Sequence, residues 1–590
     1  MKKQQFMQDL SYGASPLLSG AARFRFWAPA QTHVSVEVEG VAPVPMRAIG
    51  DGWFEAEVSC GPGAQYFYRL GNGLAVPDPA SRAQADDVHG PSLVIDPHTY
   101  DWRHAGWAGR PWHETVLYEL HVGAFGGFAG VQAALPILAD LGVTAVELMP
   151  IHDFPGMRNW GYDGVLPYAP DSRYGTPDEL KALIDSAHGL GLMMFLDVVY
   201  NHFGPDGNYL SAYAPQFFRD DIATPWGAAI DFRRPEVRRY FTENALYWLN
   251  EYRFDGLRFD AVHAISEADW LDEMAAEVRR SVEPGRHVHL VLEHDGNVAD
   301  HLRRDFDAQW NDDAHHVLHA LLTGEKDGYY ADYADKPAGR LARALAEGFV
   351  YQGDPSAYRN GETRGTPSSD LPPTSFVLFL QNHDQIGNRP FGDRLTERVE
   401  PDLLEAAIAL QLLCPHVPMI FMGEEDAATS PFLYFTDHAG DLAEAVREGR
   451  RREFAGFKGF APGEGTSSIP DPNEPATFER SRLVPDAERG TGRHRLYREL
   501  LGIRREWLVP RLEGAGSLGA SSVEPSTVVA RWRLGDGATL VLASNLGREL
   551  AQIERVNGDL LYESRPGAAD AARGGRISGA TTVALMVPAS

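Results

Sequence analysis

Three stretches of the chain carry three different rhythms of apolar and polar residues. Over residues 1–100 the apolar positions alternate: Phe24, Phe26 and Trp27, then Val34, Val36 and Val38, then Phe54, Ala56 and Val58, then Tyr66 and Tyr68, with Gly and Pro between the runs. A period of two sends successive side chains to opposite faces of a strand, and short strands at about ten-residue spacing predict an immunoglobulin-like β-sandwich. Residues 71–111, rich in Gly, Pro and Asp, read as a connecting segment. From 111 to 510 continuous apolar runs replace the alternation: VLYELHVGAF, VTAVELMP, MMFLDVVY, GLRFDAV, HLVLEHD, FDAQWN, SFVLFLQNHD and PMIFMGEE. Helical patterns lie between most of them. The clearest begins at Thr176, where Thr176 and Glu179 make a capping box around Pro177 and Leu180, Leu183, Ile184 and Ala187 form the apolar stripe before Gly189 and Gly191. A second helix places Val237, Phe241, Ala245, Trp248 and Leu249 on one face. Apolar strands alternating with helices imply a parallel sheet covered on its outer face. Eight such runs predict a closed (β/α)₈ TIM barrel, with a doubly wound sheet as the alternative. Alternation returns over 511–590, as in VVARWRLGD and ATLVLASNLG, predicting a small C-terminal β-domain without helices, and 456–490 reads as an irregular excursion.

The acids fall where the apolar runs stop. Asp197 closes MMFLD, Asp260 closes GLRFD, Glu293 closes HLVLE and Asp384 closes SFVLFLQNHD. Strand C-termini open onto the active face of such a barrel. One acid there is readily explained as an N-cap for the next helix; four on separate strands point to convergence on one cleft. Arg258 stands two residues before Asp260, so both side chains face the same way and the guanidinium can hold the carboxylate ionised. Glu293 follows Leu290, Val291 and Leu292, an apolar setting that raises a carboxyl pKa and keeps a proton available. A retaining glycosidase needs such a pair, one ionised nucleophile and one general acid. His202 follows the Asp197 strand and His383 directly precedes Asp384, where they can donate hydrogen bonds to hydroxyl groups. Trp160, Tyr162, Trp226 and Trp310 are candidates for stacking on sugar faces, with packing as the alternative for each. Asp312, Asp313, His315 and His316 resemble a metal cluster only superficially, since no HExxH or paired CxxC accompanies them; no metal is expected.

Composition narrows the partners. At 590 residues the chain should hold several domains. A net charge of −28 argues against nucleic acid and against anionic lipid, while leaving a neutral sugar as a suitable substrate. No P-loop, Rossmann glycine pattern or G-x-S-x-G elbow is present, so no nucleotide or redox cofactor is expected. Two distant cysteines, Cys60 and Cys414, cannot form a disulfide framework, the N-terminus lacks a signal-peptide core, and no apolar run is long enough for a membrane span. These features favour the cytoplasm.

The segments DVVYNH (197–202), GLRFDAVH (256–263), the strand ending in Glu293 and QNHD (381–384) resemble, in order, the four short motifs of glycoside hydrolase family 13, the α-amylase superfamily. The opening RFRFWAP is similar to the N-terminal sandwich of its branching and debranching enzymes. The resemblance implies Asp260 as nucleophile, Glu293 as acid/base and Asp384 as the carboxylate that grips sugar hydroxyls in the transition state. Within the superfamily, YELHVGAF (118–125), NWGYDGVLPYAP (159–170), YNHFGPDGNYL (200–210), WNDDAHHVLHALLTGEKDGYY (310–330), QNHDQIGNRP (381–390) and FTDHAGDLAEAVREGRRREF (435–454) are similar to the trehalohydrolase branch. That likeness implies hydrolysis of the α-1,4 bond next to the terminal trehalose of maltooligosyltrehalose or a related α-glucan, without cofactor. It also implies substrate contacts from Tyr162, Asp197, His202, Arg258, His263, Asp312, Asp313, His383, Gln385, Asn388 and Arg389. Two departures stand out: the short GAFGGFAG after His121, and Asp426 where the family typically has Trp. A 1,4-α-glucan branching enzyme is the enzymatic alternative, and a catalytically inactive barrel used for binding is the non-enzymatic one.

Overall fold

The computed structural model describes residues 6–454, 469–484, 486 and 488–589. The N-terminal alternation builds two antiparallel sheets. One joins Gly13–Pro16, Ala22–Trp27, Trp53–Val58 and Arg47–Gly50; the other joins Val44–Pro45, Val34–Val38, Gln65–Leu70 and Ala75–Val76. Their apolar faces meet ring to ring, Phe24 on Tyr66 at 4.9 Å and Phe26 on Tyr68 at 4.2 Å between centroids. The supposed connector is partly sandwich, because Ala75–Val76 and Ser92–Leu93 both pair with Gln65–Leu70. Runs of two residues are too short to show a period, which is why composition alone reads them as linker.

Eight parallel strands then close a barrel: β1 (Leu117–Leu120), β2 (Ala145–Leu148), β3 (Met193–Val198), β4 (Gly256–Phe259), β5 (His289–Leu292), β6 (Ala308–Trp310), β7 (Phe376–Leu378) and β8 (Val417–Phe421), with β8 paired back onto β1. Seven lie within the apolar runs, and β8 begins one residue before the eighth, PMIFMGEE. Closure removes sheet edges and leaves the inward positions to pack on one another. Leu117, Ala145, Met193, Phe195, Val291, Ala308, Val377, Val417 and Met419 form that inner core. The Thr176 helix runs Pro177–Gly189 with both hydrogen bonds of its capping box formed. Val237, Phe241 and Ala245 are buried on Pro235–Leu246, which widens into a single π turn over Tyr247–Glu251 that buries Trp248 and Leu249.

The C-terminal unit is a five-stranded antiparallel sheet in the order Gly516–Val523, Thr527–Arg533, Thr539–Asn545, Thr581–Val587, Asp559–Glu563. It does contain a helix, Ala568–Arg573, contrary to the sequence expectation; the run AADAAR has high helix propensity and buries Ala568, Ala569 and Ala572. The excursion expected over 456–490 is helical at Pro475–Arg480, and Arg489 opens a further helix to Ile503. Residues 456–468, 485 and 487 of that expectation lie outside the described residues. Among the described residues no helix is long and apolar enough to cross a membrane.

Candidate active site

The barrel brings the predicted acids to one end. Asp197 is the fifth residue of β3, Asp260 and Glu293 immediately follow β4 and β5, and all three hang on one side chain. Arg258 Nη1 donates to Asp197 and, at 2.8 Å, to Asp260 Oδ1, while Nη2 reaches Glu293 Oε2 at 2.6 Å. The guanidinium is 1% exposed and lies over Trp310 of β6, with Cζ 4.1 Å from the ring centroid. A buried cation is tolerable only with such company.

The two central acids are pushed in opposite directions. Burial would raise the Asp260 pKa, but Arg258, His202, the Asn201 amide and a hydrogen bond from Glu293 outweigh it and hold the carboxyl below its ordinary value. Asn201 Nδ2 donates to Asp260 Oδ2 at 2.8 Å. For Glu293, burial and the charges of Asp260, Asp384 and Asp312 overcome Arg258, so its pKa is raised well above the carboxylate range. Its Oε2 accepts from Ala261 N at 2.9 Å. Ala261 holds φ at +40°, a left-handed conformation costly for a residue with a Cβ, and this bend turns its N–H onto Glu293. Both carboxyls are held by the two terminal nitrogens of one guanidinium, one acid with its pKa lowered and the other with its pKa raised.

Asp384 reaches the cleft differently from the expectation. Strand β7 ends at Leu378, and Asp384 lies in a short helix, His383–Gly387, whose N-cap Asn382 accepts from Gln385 N. Its carboxylate is 40% exposed and is steadied by Asn388 Nδ2 at 2.9 Å. His383 is gripped by Glu119 of β1, which accepts from the backbone N at 3.1 Å and from ring Nδ1. Burial opposes a charged imidazole there, yet the Glu119 charge and hydrogen bond prevail and raise the His383 pKa. Tyr162 stacks on His383 with 5.1 Å between centroids and donates to Asp197 Oδ2 at 2.6 Å. Asp197, pushed up to about 6 by burial against the pull of Arg258, is a strut of the guanidinium.

Several expected substrate contacts take other positions. Asp313 is fully buried and accepts from Asn297, Val350 N, Tyr351 N, Tyr333 and Arg364, so its carboxylate is bonded within the fold. Asp312, one residue earlier, stays half-buried near Glu293 and Asp384, its pKa raised to about 7 by burial. Both ring nitrogens of His202 are committed, Nε2 to Tyr162 O at 2.9 Å and Nδ1 to Asn201; the ring braces Asn201 instead of presenting a free donor. His263 is exposed beside Asp295 at the rim. Gln385, Asn388 and Arg389 line a cavity of about 400 Å³ with Tyr329, Tyr330 and Phe391, and there Arg389 is held bidentately by Glu325 at 2.9 Å for each bond. Among the aromatic candidates, Trp160 packs on Phe432 and Trp310 lies under Arg258, each nearly fully buried, whereas Trp226 stacks on His202 and leaves 46% of its surface exposed. Asp426 bonds His494 at 3.2 Å. Among the described residues no group of three or more His, Cys, Asp and Glu could hold a metal ion.

Residues that sequence reasoning passed over are Asn201 and Ala261, which bond Asp260 and Glu293, and Glu119, which holds His383. All three stand inside quoted segments, Asn201 and Ala261 in the four short motifs and Glu119 in YELHVGAF.

Comparison with known proteins gives the family. Residues 101–220 match the model of the α-amylase catalytic domain, and 515–585 match a C-terminal domain of unknown function, DUF3459. The chain is 46% identical over 507 residues to a malto-oligosyltrehalose trehalohydrolase of Deinococcus radiodurans, covering 84% of this chain and 83% of that one. The chain belongs to the malto-oligosyltrehalose trehalohydrolase family. A crystal structure from Salmonella typhimurium, provisionally described as an α-amylase, superposes with a TM-score of 0.92 at 44% identity over 98% of this chain and all of that one. A 1,4-α-glucan branching enzyme of Jannaschia matches less, 34% identical over 42% of this chain and 40% of its own length. The trehalohydrolase likeness thus spans more than four-fifths of the chain, where the branching-enzyme likeness covers less than half.

Proposed function

We propose that this chain is a retaining α-glucoside hydrolase that cleaves the α-1,4 bond next to the terminal trehalose of maltooligosyltrehalose and releases trehalose, a step of trehalose biosynthesis. The observation that carries the chemistry is the shared guanidinium, which keeps Asp260 ionised beside a protonated Glu293. Glu293 gives its proton to the glycosidic oxygen as Asp260 Oδ attacks the anomeric carbon; the C–O bond to the trehalose unit breaks and a glycosyl ester of Asp260 forms. Glu293, now anionic, takes a proton from water, whose oxygen attacks the same carbon and releases Asp260, with net retention. Asp384, exposed in the cleft, is the group we assign to the sugar hydroxyls at the cleavage point. The 400 Å³ cavity beside it, with Gln385, Asn388 and Arg389 among tyrosines, is large enough for the leaving disaccharide end. Two unpaired cysteines, Cys60 and Cys414, suit a cytoplasmic setting.

Incubation of the purified protein with maltooligosyltrehalose tests the reading. Free trehalose and a shortened maltooligosaccharide are expected, with Asp260→Asn folded and nearly inactive. New α-1,6 branches in amylose without trehalose would favour the branching enzyme, and binding without any turnover would favour an inactive barrel.

A further inference from the structure

The inner face of the barrel carries an acid that the reaction leaves unused. Glu147 lies on β2, in register with Glu119 of β1 and Phe195 of β3, and is 1% exposed. Among the described residues neither of its carboxyl oxygens has a hydrogen-bond partner. The same is true of Asp197 Oδ1 and Arg258 Nε on the next two strands, which pair in register with each other, and of Trp310 Nε1 under the guanidinium. Three unsatisfied oxygens and two unsatisfied N–H donors therefore share the inner layer beneath the catalytic residues. Buried polar groups are almost always satisfied, and water with two to four polar partners is the ligand that serves such a set.

We propose that Glu147 is a positioning residue for the hydrolysis: an uncharged carboxylic acid that binds buried water and through it holds Asp197 Oδ1 and Arg258 Nε, keeping the guanidinium where Asp260 and Glu293 both reach it. The uncharged state follows from its neighbours. The groups facing Glu147 from the adjoining strands are Glu119 and Asp197, both acidic, against Arg258 alone from the strand beyond, and a third buried negative charge beside two others is strongly disfavoured. Burial first, then the charges of Glu119 and Asp197, push its carboxyl well above the usual range. An acid of this kind satisfies the underside of Asp197 and Arg258 without adding a negative charge that would compete for the guanidinium.

The role rests on the hydrolase reading, so the test pairs kinetics with a measurement that needs no turnover. Infrared difference spectra of the intact protein at neutral pH should show a protonated carboxyl band that disappears in Glu147→Gln. Glu147→Gln, which stays neutral and polar, should keep kcat within about threefold of the parent with both limbs of the pH profile unmoved. Glu147→Leu, folded by circular dichroism, should lose on the order of 10²-fold in kcat with KM within about twofold, the penalty of displaced catalytic groups. A missing carboxyl band, or a basic limb that falls to lower pH in Glu147→Gln, would mean that Glu147 is charged and overturn the proposal. So would parent-like kcat in Glu147→Leu. If the parent releases no trehalose, the functional reading fails while the band still decides the charge of Glu147.

Discussion

Replacing Arg258 by lysine keeps the charge and removes the fork, which makes it the sharpest probe of the site. In the parent, two terminal nitrogens serve three carboxylates while the flat guanidinium covers Trp310 at 4.1 Å. An ammonium is a single donor centre without a planar face. It can approach two of the three acids and leaves at least one charge-assisted bond unmade, about 1.5–3 kcal/mol. The desolvated cation–π contact adds about 2 kcal/mol to the loss. The expected destabilisation is therefore roughly 3–5 kcal/mol, read as a lower midpoint in denaturant. The catalytic effect should be larger than a uniform weakening, because Asp260 and Glu293 are positioned relative to each other by the same atom group. A displacement near 1 Å costs about 10²-fold, or some 2.7 kcal/mol of barrier. The pH profile carries the sign. Arg258 is the largest influence holding the Asp260 pKa down. With a poorer partner that pKa rises, and the acid limb of kcat/KM, which reports ionised Asp260 if it is the nucleophile we propose, moves to higher pH. Stability follows the same rule: a depressed carboxyl pKa contributes stability above the unfolded pKa that is lost as pH falls through the folded one, and the variant loses that contribution at higher pH. Parent-like kcat/KM in Arg258→Lys with an unmoved acid limb would refute the argument that one guanidinium organises the pair.

Other outcomes follow from the same contacts. Glu293→Gln should slow hydrolysis of the natural substrate drastically and abolish the basic limb, yet spare much of the first step with an aryl glycoside whose leaving group needs no proton; equal loss on both substrates would count against the acid assignment. Tyr162→Phe removes the 2.6 Å bond to Asp197 and should cost about 1–2 kcal/mol in kcat/KM, close to tenfold, with little change in unfolding midpoint. Asp313→Asn should lower stability by about 3–5 kcal/mol, since Arg364 and four other donors lose their anion, while KM stays near the parent value; a raised KM at unchanged stability would restore Asp313 to the substrate. Trp226→Ala, judged from its exposed face beside His202, should raise KM several-fold with kcat preserved.

What could be read from sequence was what repeats. Apolar runs of strand length, with a capped helix at Thr176, were sufficient to place all eight barrel strands, because buried parallel strands leave no alternation to confuse with turns. The acids on β3, β4 and β5 were legible for the same reason: each breaks an apolar run at its C-terminal end. Asp384 was legible as an acid but not in its placement, since β7 stops six residues earlier and the chain turns through an Asn-capped helix before presenting it. Asp312 and Asp313 show the limit most clearly. Adjacent residues of one type differ only in direction, and direction depends on Arg364 and Tyr333, which stand 51 and 20 residues away from Asp313. No local pattern carries that information.

The deeper regularity is how the site separates like residues into unlike states. Asp260 and Glu293 are both buried carboxyls beside Arg258, so burial alone cannot tell them apart. What differs is the number of donors and the sign of the neighbours. Asp260 receives Arg258 and the Asn201 amide and feels His202, whereas Glu293 receives Arg258 and one backbone N–H and faces Asp260, Asp384 and Asp312. Each additional anion set around Glu293 raises its proton affinity, and each donor set on Asp260 lowers that of Asp260, so the acidic crowd at the barrel mouth drives the two pKa values apart. The surrounding acids therefore act on protonation even where they touch no sugar. Neutralising Asp312, half-buried and among the anions that raise Glu293, should move the basic limb of kcat/KM to lower pH whether or not KM changes. A basic limb unmoved in Asp312→Asn would show that the apolar walls around Glu293, and not its neighbouring charges, keep the proton in place.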